Sequence, residues 1–313
     1  MTDIQLAPQP IPTVLEGRPR YEGANIRTWI GFKHFMYLVE EAVLAWLRDQ
    51  GAGARELFHE YGLGAEIVDC SVQLPAVLEV DDLVRAEVVA ASGRQLQVRL
   101  LVDRDGGETV ALRGKVTLAL VPERDAAMHR MAPSPLDAYQ VAELREGTAR
   151  DLEIPGGLTA ESVLRPPGST GLLWSWRAPY FYCHFSDRVQ HSGFVRCLEE
   201  VVDRYLDSRG LAVGRMLALR SWIPVVSRAR VRMLSPAHME ETIHTVFQVT
   251  DVLRSVMFDG RMDCYVQRGQ TLFHVATATI LHGYAISRGP EAGQLAQLDA
   301  EVTRTLLGDG DGA

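Results

Sequence analysis

Apolar residues recur at helical spacing in two widely separated stretches of the chain. Between Phe35 and Gln50 they fall at Phe35, Leu38, Val39, Ala42, Val43, Trp46 and Leu47, three and four residues apart. Gly51 and Gly53 then supply a stop. So few positions in this run are polar that the helix is expected to be wrapped on more than one side. The second stripe is Phe194, Leu198, Val201, Val202, Tyr205 and Leu206, ending at Gly210.

After each helix the period shortens to that of strands. Glu66–Leu74 places Ile67, Asp69, Ser71 and Gln73 on one face and Val68, Cys70, Val72 and Leu74 on the other. Leu83–Ala91, Gln95–Val102 and Thr109–Val121 follow, with turns at Ser92-Gly93 and Asp105-Gly106-Gly107. In the second half the strands are Val225–Leu234, Thr242–Val249, Val252–Phe258, Met262–Gln267 and Thr271–Leu281. Asp259-Gly260 and Arg268-Gly269 are the turn candidates there, and Val252–Gln267 reads either as one bent strand or as a hairpin. Between the halves, Pro122–Trp176 is rich in Pro and Gly and reads as a linker with little core. A short helix is expected from Ser134, with Pro135 and Asp137 in its first turn.

The halves align. Phe35-Met-Tyr-Leu-Val-Glu-Glu-Ala-Val lies on Phe194-Val-Arg-Cys-Leu-Glu-Glu-Val-Val at an offset of 159, which puts Glu40-Glu41 on Glu199-Glu200. We read this as a duplication. The expected organisation is a disordered segment 1–16, a first α+β domain 17–122, a linker 123–176, a second domain 177–287, and a C-terminal helix with a frayed tail, 288–313.

Composition narrows the function classes. The chain has 313 residues, 47% hydrophobic and 23% charged, an ordinary globular balance. Its net charge of −8, from 32 basic against 40 acidic residues, argues against a nucleic-acid partner. No apolar stretch is long enough to span a bilayer and no secretory signal opens the chain, so no membrane association is expected and the cytoplasm is the expected location. The four cysteines, Cys70, Cys183, Cys197 and Cys264, form no C-x-x-C pair, which disfavours a zinc site and fits a reducing compartment. Gly51-Ala-Gly53 lacks the third glycine of a dinucleotide fingerprint, and neither a Walker A loop nor a G-x-S-x-G elbow occurs. No cofactor or metal is expected.

The residues from Phe185 to Glu200, Phe-Ser-Asp-Arg-Val-Gln-His-Ser-Gly-Phe-Val-Arg-Cys-Leu-Glu-Glu, resemble the acyl-thioester hydrolases of the 4-hydroxybenzoyl-CoA thioesterase type. Asp187 matches the second Asp and His191 the His of that family's D-x-D-x-x-G-H pattern. Phe185 replaces the first Asp and Gln190 the Gly, and Gly193-Phe194 stand where an Asn pair is usual. The resemblance covers most of 178–285 and, more faintly, 18–121. It implies a double hotdog, two antiparallel sheets each wrapped around a long apolar helix. It further implies a thioesterase acting on acyl-CoA or carrier-protein-bound acyl groups, of fatty or polyketide type, and leaves a homodimer of double hotdogs open. A β-hydroxyacyl dehydratase or hydratase of the same architecture is the alternative. Asp187-Arg-Val-Gln-His191 fits its D-x-x-x-H element, but no H-x-x-x-G-x-x-x-x-P occurs. A non-catalytic acyl-binding protein is a third possibility.

Within this reading Asp187 is the candidate nucleophile or base and His191 its companion. Backbone N–H groups near Gly193 and Phe194, at the start of the second helix, are the candidate oxyanion donors. Arg228, Arg230 and Arg232 alternate along a strand and are candidates for the phosphates of coenzyme A or an acidic carrier. Against these stand plainer roles: a cap for Asp187, a solvated sheet face for the arginines, and solvent exposure for Glu199 and Glu200. The halves are expected to differ, because Asp187 falls on Thr28, His191 on Phe32 and Gly193 on His34.

Overall fold

The computed structural model describes residues 11–308 apart from 105, 125, 127, 129 and 186. The first half runs β1 (Thr13–Gly17), α1 (Phe32–Asp49), α2 (Ala54–Tyr61), β2 (Leu63–Gln73), β3 (Val84–Ala90), β4 (Gln95–Arg104) and β5 (Gly107–Pro122). A connecting region carries β6 (Leu152–Glu153) and α3 (Ala160–Leu164). The second half repeats the series as β7 (Leu172–Arg177), α4 (His191–Ser208), α5 (Val213–Arg220), β8 (Trp222–Met233), β9 (Thr242–Leu253), β10 (Met257–Arg268) and β11 (Thr271–Ile286), followed by α6 (Ala300–Leu307).

The duplication is borne out in detail. Helix α1 spans 32–49 and α4 spans 191–208, while α2 spans 54–61 and α5 213–220, each at an offset of 159. The same offset relates smaller features. Isolated bridges join Ala24 to Ile30 and Cys183 to Val189, and join Trp29 to Glu79 and Arg188 to His238. Left-handed residues end α2 at Gly62 and α5 at Ser221.

Among the described residues eleven strands form one antiparallel sheet, in the order β1-β3-β4-β5-β2-β8-β11-β10-β9-β7, with β6 paired to β11. Strands β2 and β8 meet at the seam, Asp69 opposite Arg232 and Gln73 opposite Arg228. Each half curls its strands around its own helix, and the two expected sheets are therefore continuous. Helix α1 buries Phe35, Val39, Ala42, Val43, Trp46 and Leu47, and α4 buries Phe194, Leu198, Val201, Val202, Tyr205 and Leu206, the stripes read from the sequence.

Four expectations need correction. Thr13–Gly17 is strand β1, paired to β3, so the ordered chain begins inside the segment expected to be disordered; residues 1–10 lie outside the described part. The linker has a core of its own: Ile154, Ala160 and Leu164 pack on Leu272, and its last residues are strand β7. The β9–β10 hairpin turns at Arg254-Ser255, both at positive φ, and Asp259-Gly260 lies inside β10. Gly260 is small for a packing reason, since a Cβ there would sit 2.5 Å from the Phe247 ring. Finally, a bulge at Val68 breaks the alternation of β2. Ile67 joins the main core and Val68 turns to the outer face against Ala119 and Val121. The tail 309–313, expected to fray, also lies outside the described residues.

Candidate active site

A cleft of about 1270 Å³ opens where the two halves meet. Its mouth lies at the N-terminus of α1, formed by Gly31, Phe32 and Lys33. Its walls run into the second half, along Val202 and Leu206 of α4, Ile223 to Ser227 of β8, and Ile280 of β11. At the mouth, Lys33 Nζ lies 2.7 Å from Glu199 Oε2, an ion pair between the first turn of one helix and the middle of the other. Burial works against the charged form of Lys33, but the hydrogen bond and charge of Glu199 outweigh it and raise its pKa.

The first turn of α1 has no side-chain cap. The His34 N–H is taken by the N-cap carbonyl of Gly31, which leaves the N–H groups of Phe32 and Lys33 for a ligand. Gly31 is required here because a Cβ would lie 2.4 Å from Asn25 Nδ2, and the Asn25 amide occupies that space beside the helix start. Across the mouth, Arg196 donates from Nε to Tyr37 Oη at 2.6 Å and stacks on the rings of Tyr37 and Tyr182. The mouth therefore offers a carboxylate, an ammonium, a guanidinium and free backbone donors above an apolar passage.

The place related to this mouth by the duplication is built differently. Asn25, Lys33 and Glu199 correspond to His184, Ser192 and Glu40. Burial pushes Glu40 up, opposed by His184 and Ser192 beside it. Where the cleft runs beside β8, the duplicate space beside β2 is filled with ionic groups drawn from both halves. Arg188 bonds Glu66 through Nε at 3.2 Å and Glu123 through Nη1 at 3.1 Å, and both carboxylates are fully buried. His184 Nε2 lies 3.1 Å from Glu66 Oε2; burial alone would lower the His184 pKa, but Glu66 raises it. Gly64 makes the room, because a Cβ there would sit 1.9 Å from Glu123 Oε1.

The residues expected from the sequence lie elsewhere. Asp187 is half exposed on the loop before α4, 3.3 Å from His238 Nδ1, and does not line the cleft. His191 is not its companion. The ring is buried against β8, Nε2 within 3.2 Å of the Val231 carbonyl, and burial lowers its pKa to about 4. The Gly193 N–H is engaged by the Gln190 carbonyl, and Gly193 itself packs on Val189 and Tyr182. Phe194 is a core residue. Arg228, Arg230 and Arg232 do share the outer face of β8, but Arg230 is bidentate to Asp69 across the seam and Arg232 bonds Thr148. None of the three lines the cleft. Glu199, read as solvated, faces the mouth instead. Its partner is 166 residues away in the chain, and the only trace in the sequence is the Glu-Glu pair shared by the two helices.

No clusters of His, Cys, Asp and Glu suited to a metal ion occur among the described residues, all four cysteines are free, and no described helix is long and apolar enough to cross a membrane. Residues 174–306 match the Thioesterase-like superfamily. No curated protein matches the chain. Among solved structures, a protein from Lactobacillus plantarum described as an oleoyl thioesterase shares the fold at a TM-score of 0.59 and 10% identity, over 87% of this chain and 96% of that one. A 12:0-ACP thioesterase from Umbellularia californica does so at 0.58 and 10% identity, over 87% and 94%. An acyl-ACP thioesterase from Bacteroides thetaiotaomicron gives 0.54 and 9%, over 87% and 97%. Both hotdogs are covered in each case, as the duplication requires. Residues 174–306 thus match a thioesterase-like family, and the chain joins them to another hotdog in one continuous sheet.

Proposed function

We propose that this chain hydrolyses acyl thioesters in the cleft between its two halves. The observation that carries the reading is the placement of Glu199 beside the open N-terminus of α1, both lining a cleft whose other walls are largely apolar. The acyl group lies along Val202, Leu206 and Ile280, and its thioester carbonyl is held at the mouth. Glu199 takes a proton from water as the water oxygen attacks the carbonyl carbon. The N–H groups of Phe32 and Lys33, with the Lys33 ammonium, receive the negative charge that forms on the carbonyl oxygen; such a donor is worth about 3–4 kcal/mol. The C–S bond then breaks and the thiolate takes the proton from Glu199, leaving a carboxylic acid and a free thiol.

The same geometry accepts coenzyme A or a carrier protein as the thiol, since only the acyl end enters the cleft. Structural neighbours named as acyl-ACP thioesterases favour including carrier-bound acyl groups in the trial. Release of free thiol from a panel of acyl-CoA and acyl-carrier substrates tests the reading. Thiol and acid formed in equal amounts are expected. Acyl groups bound but not cleaved anywhere in the panel would contradict it.

A further inference from the structure

Two buried side chains of the second half each carry a polar atom with no hydrogen-bond partner among the described residues. His282 lines the cleft and is only 5% exposed, and its Nδ1 meets no hydrogen-bond partner among the described residues. Tyr284, two residues along the same strand, is fully buried, and its hydroxyl is also without a partner. The rings lie edge to face at 6.3 Å, with Phe258 against the other side of His282 at 4.9 Å. Burial alone lowers the His282 pKa to about 4, so the ring is neutral, with one nitrogen that donates and one that accepts.

The first half shows what these positions are without such groups. His282 pairs with Val226 of β8, and the duplicate of that pair is Leu118 with Ile67. Tyr284 corresponds in the same way to Leu120. Both leucines are buried core residues. The second half therefore holds an imidazole and a phenol where the first holds two leucines; His282 lines the cleft, and Tyr284 lies behind the lining. An unpaired buried polar group is destabilising, and a plain hydrocarbon ligand would leave it unpaired.

From this we infer that the acyl group taken by the cleft carries oxygen: a hydroxyl or ketone along the chain that hydrogen-bonds His282, with Tyr284 next to it. The inference rests on the cleft being an acyl site and names the class of acyl group. It places the protein after a reaction that leaves oxygen on a growing or trimmed acyl chain.

The test is a binding experiment and needs no turnover. Dodecanoic acid and its monohydroxy and monoketo isomers are titrated calorimetrically into the full chain and into His282→Leu, His282→Gln and Tyr284→Phe. At least one oxygenated isomer is expected to bind about tenfold tighter than the plain acid, the worth of one buried hydrogen bond. His282→Leu, which restores the residue of the first half, should abolish that preference, and His282→Gln should recover part of it. If no isomer exceeds the plain acid, if none of the acids binds, or if the preference persists in both His282→Leu and Tyr284→Phe, the inference is overturned. Failure of hydrolysis with the preference intact would instead remove the catalytic reading and leave the oxygen subsite standing.

Discussion

Lys33 of the first helix reaches Glu199 of the second at 2.7 Å, and this contact makes one cleft mouth out of two duplicated halves. Neither half contains both groups. The duplicate positions hold Ser192 and Glu40, so the second mouth has the carboxylate without the ammonium. The asymmetry expected from the sequence is real, but it leaves the open cleft beside the α1 N-terminus rather than beside that of α4.

Lys33 should matter to the chemical step more than to the fold. Its side chain is about a third exposed, so the ion pair itself adds little stability. Lys33→Met is expected to lower kcat by about 100- to 1000-fold by removing a donor to the oxyanion, with a melting temperature close to that of the parent. A rise confined to KM, with kcat unchanged, would assign Lys33 to binding alone.

The buried network at the duplicate of the cleft should behave in the opposite way. Arg188 is held between Glu66 and Glu123, both at zero exposure. Arg188→Met leaves Glu123 buried without its counter-charge and Glu66 with His184 alone, and should cost about 3–5 kcal/mol in urea unfolding. Replacing all three by the residues at the duplicate positions, Glu66→Val after Val225, Arg188→Trp after Trp29 and Glu123→Ser after Ser287, should recover most of that loss. A stable Arg188→Met single variant would show that the network is not confined as described.

Much of the fold is legible in the sequence because two periods carry it. The stripes of α1 and α4 and the alternation of β4 follow directly from which residues are apolar. The bulge at Val68 is not legible, since an extra residue in a strand leaves every propensity unchanged while exchanging the faces on one side of it. The turn at Arg254-Ser255 is hidden for a similar reason: its positive φ values fall on residues that rarely adopt them.

The site is less legible than the fold. The family-like motif drew attention to Asp187 and His191, which share a loop and helix start but face different surroundings. Gly193 looked like a device for close approach to a ligand. Its actual role is a size exchange between the halves: Gly193 faces Tyr182 in one, and His34 faces Gly23 in the other. A Cβ on Gly23 would lie 2.7 Å from the His34 ring, so each half keeps one large and one small residue there. Glu199 could not be singled out from Glu200 without knowing which face of α4 meets Lys33.

Acid stability should depend on one carboxylate away from the cleft. Burial opposes ionisation of Asp263, but hydrogen bonds from His274, Arg261 and Thr277 outweigh it and hold its pKa near 2. The unfolded chain has an ordinary aspartate, so the stabilisation is complete above about pH 4 and is lost as pH falls toward 2. It amounts to about 2 kcal/mol. Unfolding free energies measured across that window should fall less steeply in Asp263→Asn than in the parent; parallel curves would remove Asp263 from the account.

The site assignment is tested most directly by two single substitutions in one thiol-release assay. Glu199→Gln keeps the size of the side chain and removes the base at the cleft mouth. Asp187→Asn alters the motif aspartate, which lies outside the cleft. With the same acyl thioester, Glu199→Gln should lower kcat by at least about 100-fold, within the range for loss of a general base. Asp187→Asn should stay within a few-fold of the parent. The reverse result, an active Glu199→Gln and an inactive, folded Asp187→Asn, would contradict the cleft assignment and return the chemistry to the loop before α4.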